Sequence, residues 1–244
     1  MKRAVEIGLP VLGMLLGLAG CQKGPVAPVL HPKANGAALV ESSGGRQAGF
    51  VGSPLDQPVV VQVNDAQGNG VAGALVSLTA AGDATVTPAT GLTADDGTFT
   101  VNCQLGGVSG RYRIVATTWD KQGKAITLNL DEIALGYQQN LGRQLNEKYC
   151  SRCHNQESTV ERVSNYDNLA TKPHSFNDGN FYNTVNDADI AAIITYGGAA
   201  RHQSAEMPSY GGTLSKSDVD ALVSYVRAVS DPPYHEKGMT YARQ

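Results

Sequence analysis

Apolar and polar positions alternate from about Ala48 to Leu135. Val59, Val61 and Val63 share one face, and the run stops at Asp65-Ala66-Gln67-Gly68-Asn69-Gly70, a dense turn signal. Val76 and Leu78 mark the next run. Phe99, Val101 and Cys103 line a third, after the Asp95-Asp96-Gly97 turn. Tyr112, Ile114 and Ala116 follow, then Ile126, Leu128 and Leu130. Several short alternating strands between Gly, Asp and Asn turns, with no helical period among them, predict an all-β sandwich. From about Tyr137 the period becomes helical. Leu141, Leu145 and Tyr149 fall on one face of a helix that runs into Cys150. Ile190, Ile193 and Ile194 form a second face, preceded by Asn186 and Asp189 in a capping-box arrangement with Val185 as a staple, and stopped by Gly197-Gly198. Val219, Leu222, Val223 and Val226 stripe a last helix, which starts near Ser215 with Asp218 three residues on and ends at Asp231-Pro232-Pro233. The fold class expected is multidomain, all-β followed by all-α.

The ends of the chain carry a different signal. Lys2 and Arg3 precede an apolar stretch from about Ile7 to Leu18, too short to span a membrane and ending in Leu18-Ala19-Gly20-Cys21. Residues 1–20 resemble a bacterial lipoprotein signal peptide, which implies that Cys21 is lipidated and becomes the new N-terminus. An ordinary signal peptide cleaved near Ala19 is the alternative. Two or more acyl chains anchor a protein stably. Gln22, rather than Asp, implies the outer membrane, facing the periplasm or the outside. Residues 21–45 hold Pro25, Pro28 and Pro32 among Gly, Ala and Ser, and are expected to be a flexible tether. Residues 232–244 are expected to be a polar tail. The formal charge of −3 excludes little, but no basic run with interleaved aromatics supports nucleic-acid binding.

Chemistry concentrates at Cys150-Ser151-Arg152-Cys153-His154, in a chain with only four Cys and five His. This is the C-x-x-C-H spacing of covalent haem c attachment. The two thiols add to the haem vinyl groups, and the adjacent imidazole is then aimed at the iron. Zinc would need two further ligands at short spacing, and the sequence offers no second Cys or His pair. A single such motif implies one haem. Cys103 is left as a core thiol.

Residues 136–231 resemble a class I monohaem cytochrome c. Gly142, Cys150, Cys153 and His154 match its first helix, Glu206-Met207-Pro208-Ser209-Tyr210 its second-ligand loop, and Leu214-Ser215 with Asp218 to Val226 its last helix. The resemblance implies axial ligation by His154 and Met207, with Gly142 permitting close approach of the last helix near Tyr225. His174 and His202 compete with Met207 for that role. Asn146 stands where the family often has an aromatic, and Pro173, whose carbonyl would serve His154, lies unusually far along the chain. Tyr210 either approaches the haem edge or merely packs. Residues 46–135 resemble an invasin-type immunoglobulin-like domain, through Val61-Gln62-Val63-Asn64-Asp65, Val71-Ala72-Gly73-Ala74, Thr93-Ala94-Asp95-Asp96-Gly97 and Gly110-Arg111-Tyr112-Arg113. The expectation is a lipid-anchored, non-catalytic one-electron carrier in the cell envelope, serving redox partner proteins, with the β-domain as spacer. A haem subunit or ligand-binding domain of an oxidoreductase or sensor, and a surface adhesion or scaffold protein, remain as alternatives.

Overall fold

A computed structural model describes residues 30–156 and 163–235. The signal segment, Cys21, the start of the tether and residues 236–244 lie outside the described residues.

Two sheets enclose one apolar core. The first has the order β1-β3-β7-β5, from Ala38–Ser43, Val59–Asn64, Thr98–Gln104 and Thr85–Thr87. The second has the order β2-β9-β8-β4-β6, from Ala48–Phe50, Ala125–Leu135, Gly110–Trp119, Leu75–Ala80 and Thr90–Leu92. The alternation explains the core. Val59, Val61 and Val63 of β3 and Val101 and Cys103 of β7 face Val76, Leu78, Ile114, Ala116 and Leu130 of the opposite sheet. Turn chemistry pins the register. Asp65 Oδ1 accepts from the N–H groups of Gln67 and Asn69, both at 2.9 Å, and Gly68 takes a φ of +88°. Those bonds, led by Asn69, hold the Asp65 carboxyl below its usual range.

Folded structure begins earlier than the expected tether allows. Residues 38–43 form β1, which pairs antiparallel with β3 from Ala38↔Asn64 to Ser43↔Val60. Leu39 fills the core while the rest of the strand is largely exposed, so its short, mostly polar alternation reads as linker composition.

Among the described residues five α-helices follow: α1 Tyr137–Tyr149, α2 Ser151–His154, α3 Gly179–Tyr182, α4 Asp187–Tyr196 and α5 Lys216–Val229. α1 crosses α5 at Gly142, where a Cβ would come within 2.1 Å of the Ala221 carbonyl oxygen and 2.7 Å of Tyr225 Cβ. Only glycine permits that approach. α5 opens with a complete capping box, in which the Ser215 N–H donates to Asp218 Oδ2 at 2.9 Å and the Asp218 N–H donates to Ser215 Oγ at 3.2 Å. At α4 the box is incomplete. Asn186 Oδ1 accepts from the Asp189 N–H at 2.8 Å, but the Asp189 carboxylate accepts from the Asn186 side-chain amide at 2.8 Å and from Arg201 at 2.6 Å. No helix among the described residues is long and apolar enough to cross a membrane.

The two parts meet along β9. Its inner face continues the sandwich core, while Ile133 and Leu135 cluster with Val229 of α5, joined by Ala48, Phe176, Tyr225 and Ala228. Both faces of the strand end are therefore covered.

Candidate functional site

α1 ends at the attachment motif. The Cys150 N–H donates to the Asn146 carbonyl at 2.9 Å, and the chain then makes one more turn, with the N–H groups of Cys153 and His154 both donating to the Cys150 carbonyl at 3.0 Å. Cys150, Cys153 and His154 are thus carried on a single helical turn. Both thiols are free, Cys150 buried and Cys153 half-buried. Cys150 belongs to an apolar cluster with Ile190, Ile194, Leu214, Leu222 and Val226. Burial in that cluster pushes its thiol up to about 12, so by itself the thiol stays protonated. Among the described residues no three His, Cys, Asp or Glu side chains converge to hold a metal ion.

His154 is the most informative residue. Its Nδ1 lies 2.8 Å from the His174 carbonyl oxygen. A carbonyl only accepts, so Nδ1 carries the hydrogen and Nε2 keeps its lone pair for a metal. Burial holds the imidazole below the ordinary histidine value, and the His174 carbonyl opposes this only in part. The ring is further held by Phe176, 4.5 Å away between centroids at 35°. The supporting carbonyl belongs to His174 and not to Pro173, one residue from the expected position. His174 is itself anchored. Its Nδ1 lies 2.8 Å from Asp178 Oδ2, and its ring stacks on Phe181 at 3.7 Å and 3°. Those two contacts fix the orientation of the His174 ring. His202 is exposed, in the left-handed conformation that closes the turn Ala199–Arg201.

Met207 is half-buried on the connection between α4 and α5. Its carbonyl accepts from the Gly198 N–H at 3.0 Å, which ties it to the end of α4. Tyr210 fastens the same loop twice. Its N–H donates to the Ile194 carbonyl at 3.0 Å and its hydroxyl to the Tyr149 carbonyl at 2.9 Å, just before Cys150. Glu206 supplies a clasp that sequence reasoning missed. Its carboxylate accepts from the N–H groups of Ala170 at 3.0 Å and Thr171 at 3.2 Å, within the segment leading to His174. Backbone N–H donors hold that carboxyl below its usual range, with Ala170 the largest contributor. The Met207 loop and the His154-supporting segment are thereby hydrogen-bonded to each other. Two free thiols beside an apolar cluster, with an imidazole whose Nε2 is unprotonated, fit a covalently held haem. Cys21 lies outside the described residues.

Residues 138–226 match the family model described as cytochrome C oxidase, cbb3-type, subunit III. No curated protein sequence matches the chain. Among solved structures, the D0-D1 domain of intimin aligns with 41% of this chain and 48% of its own at 17% identity and a TM-score of 0.31. Invasin, a bacterial integrin-binding protein, aligns with 40% of this chain and 19% of its own at 19% identity and a TM-score of 0.29. FdeC, an Escherichia coli adhesin, aligns with 43% of this chain and 32% of its own at 18% identity and a TM-score of 0.30. The chain thus spans about half the length of the intimin fragment. Scores this low have no bearing on function, and the sandwich rests on its own two sheets and shared core. A two-sheet β-sandwich is followed here by a segment that matches a cytochrome c family model, and such a domain implies covalent haem c and redox partners.

Proposed function

We propose that this chain is a membrane-anchored c-type cytochrome, with one haem joined through thioethers to Cys150 and Cys153 and ligated by His154 and Met207. The observation that carries the reading is the His154 tautomer set by the His174 carbonyl, which leaves Nε2 as the ligand atom. When bound, such a haem supplies a one-electron couple, and a thioether as second ligand raises its potential relative to a second imidazole. The protein's part is positional. Tyr210 and Gly198 hold the Met207 loop, Phe176 and the His174 carbonyl hold the His154 ring, and the apolar cluster around Cys150 keeps water away. Anchoring is proposed from Leu18-Ala19-Gly20-Cys21, with Cys21 lipidated at the outer membrane. The immunoglobulin-like domain then serves as spacer between the lipid surface and the redox partners.

The test is the optical spectrum of the oxidised protein, wild type beside Met207→Ala, with carbon monoxide added after reduction. A sulfur-to-ferric-iron band lost in the variant, and no carbon monoxide binding to wild type, is the expected result. Rapid carbon monoxide binding to wild type without that band would replace the closed carrier with an open ligand-binding haem. The family description favours a second arrangement, in which the chain is a haem subunit of a larger oxidoreductase. Mild detergent extraction followed by sizing separates the two: a stable high-mass complex with oxidoreductase activity supports the subunit, a lone chain the carrier.

A further inference from the structure

The segment that supports His154 belongs to the helical domain in sequence but is gripped from the β-sandwich. The His174 carbonyl and the Phe176 ring, the two groups holding the imidazole, are two residues apart. Phe176 also packs against the cluster of Ile133, Leu135 and Val229 that joins β9 to α5. A second connection runs through the backbone. Arg111 of β8 donates to the Ser230 carbonyl. The next residue, Asp231, donates its N–H to the Asn177 carbonyl at 2.8 Å, and its own carbonyl accepts from the Gly179 N–H at 3.0 Å. The 174–178 segment is therefore tied to the sandwich by an apolar contact and by a hydrogen-bonded relay. A partly open cleft of about 460 Å³ lies beside the seam, lined by Arg46, Arg111, Asn146, Phe176 and Tyr225 among others.

We infer that the β-sandwich is part of the axial-ligand support, with Ile133 and Arg111 as positioning residues that hold the 174–178 segment and so set the hydrogen bond on His154. This rests on His154 being a haem ligand, as proposed above. The consequence is chemical as well as mechanical. Donation from Nδ1–H to a carbonyl makes the imidazole a stronger donor and favours ferric iron, so a looser segment raises the reduction potential. The domain expected to be a passive spacer then tunes the redox centre it accompanies.

The test uses the full-length haem-loaded protein as wild type, Arg111→Ala, Ile133→Ala, Arg111→Lys and, on the exposed turn between β8 and β9, Lys121→Ala. Arg111→Ala and Ile133→Ala are expected to shift the oxidised-to-reduced ratio at fixed potential about threefold, a rise of about 28 mV at ~59 mV per tenfold. They should also move the haem-methyl resonances of the oxidised protein. Arg111→Lys, which keeps a donor for the Ser230 carbonyl, restores both, and Lys121→Ala changes neither. Variants that melt earlier but keep the wild-type potential and resonances would reduce the seam to a structural contact and overturn the inference. A haem spectrum unchanged in His154→Ala would overturn the ligation itself, and with it this inference.

Discussion

Glu132 offers the sharpest test of the β-domain's physics. It lies on β9 between Leu130 and Ala134 in the phase that faces the core, and it is fully buried. One carboxyl oxygen accepts from the Gln47 N–H at 2.7 Å, while the other has no hydrogen-bond partner among the described residues. Burial is the largest influence on the group and lifts it from 4.5 to about 7, with Glu41 and Asp131 adding repulsion and the Gln47 N–H opposing. In the unfolded chain the same carboxyl loses its proton near the ordinary value. Between those two values unfolding releases a proton, so rising pH favours the unfolded state. The stability carried by protonated Glu132 is thus present in full below about pH 4.5 and lost as pH rises through about 7. At ~1.4 kcal/mol per pKa unit the swing is about 3 kcal/mol. Glu132→Gln keeps the shape and the bond from Gln47 but removes the titration. Urea unfolding should be followed through Trp119, the single tryptophan, which ends β8. The variant should be more stable than wild type at pH 8 by about 2–3 kcal/mol and nearly equal to it at pH 4.5. A difference of the same size at both pH values would refute burial of an ionisable carboxyl as the cause.

Gly142→Ala should cost about 1–3 kcal/mol, because its Cβ must push the Ala221 carbonyl aside, and the loss should appear as a lower melting temperature of the helical domain. Normal stability would mean that the α1–α5 crossing is looser than the structure shows. Glu206→Ala removes the clasp on Ala170 and Thr171, and should let carbon monoxide bind the reduced protein, where wild type binds none, without altering far-ultraviolet circular dichroism. No binding to the variant would show that the Met207 loop holds without it. Cys21→Ala should move nearly all of the protein from the membrane fraction to the soluble fraction of fractionated cells, and persistent membrane association would point to another anchor.

What the sequence disclosed, it disclosed for local reasons. The thiols and imidazole of Cys150, Cys153 and His154 lie on one turn because thioether attachment demands short, fixed spacing. The Asp65–Gly70 turn and the Ser215–Asp218 cap were equally visible, since each is made by side chains within a few residues of the backbone groups they bind. The support of His154 was less visible. The acceptor is a backbone carbonyl, which every residue owns, so nothing in the residue types separates Pro173 from His174. Glu206 was missed for a similar reason, since its partners are N–H groups far along the chain.

One interdomain feature did leave a trace, at the end of β9. Strict alternation along Ile126, Leu128 and Leu130 marks a strand with one face in the core. At Ile133-Ala134-Leu135 the alternation fails and three apolar residues run together. A strand can bury consecutive residues only if both faces are covered, because neighbouring side chains point to opposite sides. Ala134 faces the sandwich with Leu105 and Tyr112, while Ile133 and Leu135 meet α5 and the ring of Phe176 lies against them or Val229. The break in pattern is the trace that a second packed surface leaves in the sequence. That its partner includes the residue stacked beside His154 is the step that alternation cannot encode, because Phe176 reaches the seam from an irregular segment with no period of its own.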